Sequence, residues 1–80
     1  MDIKKAAGGT RLKMTSKGRN GWPQDIHSVS YEHIYTMLFQ IESGGIVGEK
    51  AHRWLGWAQC AIVAARVATL DDMKNINHAA

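Results

Sequence analysis

The sequence has one cysteine and no long uninterrupted apolar run, and both scarcities exclude classes of protein. A single cysteine, Cys60, cannot form an internal disulfide, so the chain is not a disulfide-stapled secreted domain. Its apolar surroundings favour a small core side chain. The most apolar stretch, residues 54–68, is shorter than the roughly 20 residues that a membrane-spanning helix needs. Because no apolar segment follows the basic N-terminus as in a secretory signal, we expect a cytoplasmic protein without membrane contact.

Recognisable arrangements of catalytic or metal-binding residues are also missing. The four histidines are His27, His33, His52 and His78. No two of them have the i,i+4 spacing of a helical metal site. Cys60 has no basic neighbour on its helical face that would activate the thiol. The glycine-containing residues 44–50 lack the length and the Ser/Thr of a phosphate-binding loop. We therefore expect no enzyme activity, no catalytic residues, no metal and no cofactor.

Positive charge is concentrated at the N-terminus. Residues 1–27 contain six of the ten Lys and Arg residues but only two of the seven acidic ones. They show neither helical nor strand periodicity, and glycines together with Pro23 interrupt them. This composition predicts a disordered, flexible basic arm over residues 1–27, joined to a helical domain over residues 28–80.

The predicted arm suggests a nucleic-acid contact as an alternative function. Its candidate residues are Lys13, Lys17 and Arg19 for phosphates and Trp22 for stacking on a base. The competing interpretation, which we favour, is a solvated tail, with Trp22 packed back onto the helical domain.

The first helix of that domain is predicted from Tyr31 to Ser43. Apolar residues recur there at spacings of three and four, as on the buried face of a helix. Ser28 or Ser30 is the candidate N-cap, and Gly44-Gly45 marks the end because glycine adopts the left-handed conformation easily.

A second, longer helix is predicted from Glu49 to Ala68. The short connector over residues 44–48 favours an antiparallel arrangement of the two helices. Thr69 followed by two aspartates then predicts a short C-terminal helix that folds back, the alternative being a kink in the long helix. The predicted fold is all-α: an antiparallel helical hairpin with a short third helix.

The apolar arc of the long helix is the main functional clue in the sequence. It covers about 220° of the helix circumference, whereas a surface helix needs only a little more than 100°. A chain of this size also buries a small share of its surface, and oligomerisation is one remedy. We therefore predict a homodimer or higher oligomer, although the first and third helices could cover the arc within a monomer. The expected interface residues are Tyr35, Phe39, Trp54, Trp57, Ala61, Ala64 and Ala65.

The segments YEHIYTMLFQIE, AHRWLGWAQ and TLDDMKNINHA are similar in style to small helical proteins encoded in the early (exo–xis) region of lambdoid phages and prophages. The resemblance covers residues 31–80 and leaves out the N-terminal part. It implies a helical hairpin that dimerises and modulates host physiology or phage development by binding a host protein. From it we expect a bacteriophage accessory protein that acts in the bacterial host cytoplasm.

Overall fold

The computed structural model describes residues 1–23 and 25–80, and these residues form helices and no strands. The all-α prediction is therefore confirmed for the described part of the chain. In chain order the helices of the described residues are α1 (Ile3–Lys17), α2 (Tyr31–Glu42), α3 (Gly48–Ala64) and α4 (Leu70–Ala79), with a 3-10 turn at His27–Val29 before α2.

The helix α1 replaces the disordered arm that the sequence predicted. Asp2 caps it, because its carboxylate accepts hydrogen bonds from the backbone N–H groups of Lys4 (3.0 Å) and Lys5 (3.2 Å). Its inward side chains are fully buried in the core that α2, α3 and α4 also build: Ala6, Ala7, Thr10 and Met14. Three of these four are small or polar, so the face has too little hydrophobic contrast to show a helical period. The expectation of a flexible arm was wrong for that reason.

Two glycines that suggested disorder instead let neighbouring helices come close to α1. A Cβ atom on Gly8 would lie 3.3 Å from the carboxyl group of Glu42 on α2, and one on Gly9 would lie 3.1 Å from Ile76 Cγ2 on α4. Both positions are inside a helix, where glycine costs up to about 1 kcal/mol relative to alanine. Here that cost is offset by the close packing that the missing side chains permit.

The predicted caps of α2 and α4 are present. Ser30 Oγ accepts a hydrogen bond from the His33 backbone N–H at 3.3 Å at the start of α2. Thr69 and Asp72 form a reciprocal capping box, in which the Thr69 N–H donates to Asp72 Oδ2 and the Asp72 N–H donates to Thr69 Oγ1. Gly44, with φ of 85°, follows the end of α2 in the left-handed region.

The long helix ends four residues earlier than predicted. Arg66 adopts a left-handed conformation with φ of 62°, and the Val67 N–H donates to the Ile62 carbonyl at 3.1 Å. This 6→1 hydrogen bond is the Schellman ending of a helix. It separates α3 from α4, so α4 is a distinct helix and α3 does not continue through a kink.

A buried polar network joins α1, α3 and α4. The Gln59 amide donates to Thr10 Oγ1 (3.1 Å) and to Asn77 Oδ1 (2.8 Å), while Asn77 Nδ2 donates back to Gln59 Oε1 (3.0 Å). Thr10 in turn donates to the Ala6 carbonyl at 2.8 Å. Because each polar group has a partner, the network fixes the register of three helices without an unpaired buried group.

None of the helices in the described ranges is both long and apolar enough to cross a membrane.

Candidate interaction surface

The solvent-facing side of α3 is apolar over its last three turns. The exposed residues between positions 56 and 64 are Gly56, Trp57, Cys60 and Ala64, which we call the α3 outer face. Their spacing places them on one side of the helix. A surface helix normally presents charged or polar residues on this side. The face therefore lacks the polar side chains that usually keep a helix in contact with water.

A groove between α3 and α4 continues this face. It has a volume of about 410 Å³, and Gly56, Cys60 and Ala64 form its α3 wall. Leu70 at the start of α4 lies on the other wall with 59% of its surface exposed, while Met73 beside it is buried. Gln59, Lys74 and Asn77 also line the groove, so the apolar outer face continues into a groove whose surface is mostly, but not wholly, apolar.

Trp57 contributes the largest exposed ring of the α3 outer face. Its indole N–H donates to the Ser28 carbonyl at 3.0 Å, and 48% of the residue remains exposed. Because the polar N–H is already satisfied within the chain, what Trp57 offers a partner is mainly apolar ring surface. Trp54, one turn earlier, is half-buried, and the Lys50 ammonium lies 5.2 Å from the centroid of its ring.

The seven residues predicted for the oligomer interface do not share one surface. The Arg11 guanidinium of α1 lies over the Tyr35 ring, with its Cζ atom 5.8 Å from the ring centroid. Trp57, by contrast, contacts the 3-10 turn before α2. Phe39 is on α2 and 53% exposed, and Ala61 is buried in the core at 7% exposure.

Of the remaining predicted residues, Ala64 belongs to the α3 outer face, and Ala65 is half-buried just after the helix. Gly56 and Leu70 were not among the predicted interface residues, and Cys60 was predicted to be a core residue. Small residues recur at positions 56, 60 and 64, one helical turn apart, and this spacing in the sequence indicates the α3 outer face.

The four residues considered for nucleic-acid contact have different environments. Trp22 is 4% exposed, its indole N–H donates to the Val29 carbonyl at 2.7 Å, and its ring packs edge-on against Tyr31 with centroids 5.4 Å apart. This confirms that Trp22 packs onto the helical body, and it leaves no open ring face for a base.

The three basic residues considered for nucleic-acid contact lie near different helices. Lys13 Nζ lies 3.8 Å from Asp72 on α4, and the Arg19 guanidinium lies 2.6 Å from Glu32 on α2. Lys17 is exposed at the end of α1. They therefore do not form one uninterrupted basic patch.

One ion pair joins α1 to α2 with good geometry. Arg11 donates from Nε to Glu42 Oε2 at 2.7 Å and from the terminal nitrogen to Oε1 at 3.1 Å. These hydrogen bonds hold the pKa of Glu42 below its ordinary value, although partial burial acts in the opposite direction. They also raise the pKa of Arg11. The pair is partly exposed and fixes how the two helices pack, so we assign it a structural role.

Among residues 1–23 and 25–80, no group of three or more His, Cys, Asp or Glu side chains is placed to hold a metal ion. Comparisons with protein-family models, curated proteins and solved structures gave no match.

Proposed function

We propose that this protein is a non-enzymatic interaction module that acts by protein–protein contact and associates with a second copy of itself through the α3 outer face. The observation that carries the proposal is the exposed apolar line Gly56, Trp57, Cys60 and Ala64 on a helix whose other side is already buried. Contiguous apolar surface of this kind is typical of interaction sites on small proteins.

A second copy suits this surface because its α3 outer face has small residues one turn apart. The distance between two packed helices depends on the side chains at their contact, so small residues permit a close approach. In a two-fold dimer the same patch is used twice, which places each Trp57 ring over the partner helix beside its small residues. The two rings then lose the water contact that they have in the monomer.

The interface must include the groove as well as the outer face. A standard interface buries about 800 Å² on each partner. That is about one sixth of the 4876 Å² that this chain exposes. Four residues, two of them Gly and Ala, cannot supply this area. Leu70 and Val63 along the groove extend the apolar surface in the required direction.

A substitution pair tests the assignment of the face. Cys60→Arg puts a charge in the middle of the α3 outer face, and Thr36→Arg puts the same charge on an exposed position of α2. Sedimentation velocity should show a dimer for the wild type and for Thr36→Arg, and a monomer for Cys60→Arg with unchanged helical circular dichroism. A Cys60→Arg protein that remains dimeric would show that the interface lies elsewhere, and a monomeric wild type would refute self-association.

The role as a bacteriophage accessory protein that modulates host physiology or phage development in the host cytoplasm is the further part of this proposal. Its support is the resemblance of residues 31–80 to early-region phage proteins. In that case a host protein is the second partner, and it contacts a surface that the dimer leaves open. The exposed Phe39 on α2, which is not part of the α3 outer face, is the first candidate for that contact.

Binding of nucleic acid remains the alternative and has less support. It would rest on Lys13, Lys17 and Arg19 alone, because Trp22 is occupied in the core. Affinity for a single-stranded oligonucleotide that falls steeply with salt, and that Lys17→Gln weakens, would favour it.

A further inference from the structure

Two histidines that are six positions apart in the sequence lie side by side in the structure. His27 is in the 3-10 turn, and His33 is in the first turn of α2. Their ring centroids are 5.1 Å apart, with the ring planes at 54° to each other. His27 is exposed and His33 is half-buried, so solvent can reach the pair.

The backbone that holds the two rings is fixed by bonds that do not involve them. The Trp22 indole N–H donates to the Val29 carbonyl at 2.7 Å, and the Trp57 indole N–H donates to the adjacent Ser28 carbonyl at 3.0 Å. On the other side, the Ser30 hydroxyl caps the backbone N–H of His33 itself. Two indoles and one cap thus fix the backbone that carries the two rings before any ligand is present, which lowers the entropic cost of binding.

The separation of the rings fits two imidazoles that share one metal ion. Zinc lies about 2.0–2.1 Å from each imidazole nitrogen, and therefore about 3.2 Å from each ring centroid. Two centroids that subtend a tetrahedral angle at the ion are then about 5.2 Å apart. The observed distance of 5.1 Å is close to this value, so the two rings already have the separation that a shared ion requires.

We propose that His27 and His33 form a two-imidazole site for a divalent transition-metal ion of the Zn²⁺, Ni²⁺ or Cu²⁺ class. Neutral imidazole nitrogen is a preferred ligand of these ions. The protein supplies two ligands and solvent supplies the others, because no group of three or more His, Cys, Asp or Glu side chains in the described ranges is placed to hold an ion. The site is independent of the proposed self-association and goes beyond it.

The test is a titration of the full chain with NiCl₂, followed by tryptophan fluorescence, because Trp22 and Trp57 bond the turn that carries His27 and a bound Ni²⁺ ion quenches nearby indoles. We expect His27→Ala and His33→Ala each to weaken Ni²⁺ binding at least ten-fold. The double variant should be no weaker than either single one, since one imidazole alone cannot chelate. His52→Ala and His78→Ala are matched controls at exposed positions and should bind as the wild type does.

Other outcomes would overturn the site. If the four histidine variants each reduce binding by a similar small factor, the imidazoles bind Ni²⁺ one at a time and no site exists. The same conclusion follows if neither His27→Ala nor His33→Ala changes the titration. Because His33 is half-buried, His33→Gln, checked for helical circular dichroism, separates lost binding from lost folding, and His27 is exposed enough to be replaced without that risk.

Discussion

Met14→Ala tests whether α1 is part of the folded core. Met14 is fully buried, although it lies in the N-terminal third of the chain whose composition suggested a flexible arm. The substitution removes three heavy atoms, which at about 0.8 kcal/mol for each buried methylene-sized group is about 2.4 kcal/mol of transfer free energy. An incompletely collapsed cavity raises the loss to about 3 kcal/mol.

That loss is large for a chain of 80 residues, whose total stability is expected at about 4–12 kcal/mol. It corresponds to a fall in melting temperature of about 12–24 °C. Helix propensity cannot produce this result, because alanine is the better helix former. The measurement is thermal and urea unfolding by circular dichroism at one fixed protein concentration, since association would also contribute to stability.

Leu12→Ala is the matched control, two residues away on the same helix. Leu12 is 62% exposed, so its replacement should change the unfolding free energy by about 0.5 kcal/mol or less. Equal, small effects of the two substitutions would refute the packing of α1 described above. They would indicate that residues 1–27 form an arm that does not pack on the helical domain.

Two further predictions concern polar contacts between helices. Asn77→Ala removes two hydrogen bonds from the buried Gln59 amide and should cost about 1–3 kcal/mol of unfolding free energy. Asn75 is exposed on the same helix, so Asn75→Ala should be nearly neutral. Equal effects of the two substitutions in chemical denaturation would contradict the network. Glu42→Gln should cost about 1 kcal/mol or less at pH 7, because the Arg11–Glu42 pair is partly exposed. Since the pKa of Glu42 is lowered in the folded state, its contribution is complete above the ordinary value of 4.5 and is lost as the pH falls through the folded pKa. The difference in unfolding free energy between wild type and Glu42→Gln should therefore shrink below pH 4.5. The Glu49 side chain is 97% exposed, so Glu49→Gln should show no such trend. A difference for Glu42→Gln that is constant with pH would refute the contribution of the Arg11–Glu42 pair.

The helices over residues 31–80 could be predicted because their signals are local. Ser30 and Thr69 are capping residues, Gly44 adopts a left-handed φ, and the apolar residues of α2 recur at helical spacing. The end of α3 was misplaced because Arg66 adopts a left-handed conformation without being glycine, which no local pattern indicates.

The helix α1 was missed because its helical pattern depends on its partners. Alanine and threonine become core residues only when α2 and α4 come close, and Gly8 and Gly9 permit this approach by lacking side chains. Without the structure, glycines at these positions indicate a flexible segment.

The candidate surface was predicted only in part. The excess apolar arc of the long helix was visible in the sequence, but which part stays exposed depends on where α1, α4 and the 3-10 turn pack. These elements bury Ala61 and Gln59 and leave Cys60, Ala64 and much of Trp57 exposed. Tyr35 and Phe39 were predicted to belong to the same oligomer interface as the α3 residues. The presence of α1 gives Tyr35 a different neighbour, Arg11.

The central claim, that the α3 outer face joins two copies of the chain, is tested most directly by the absolute mass in solution. Light scattering over a range of protein concentrations should give twice the chain mass of 8.9 kDa at the upper end and should fall toward 8.9 kDa on dilution. A mass of 8.9 kDa that does not change at any concentration would contradict the claim.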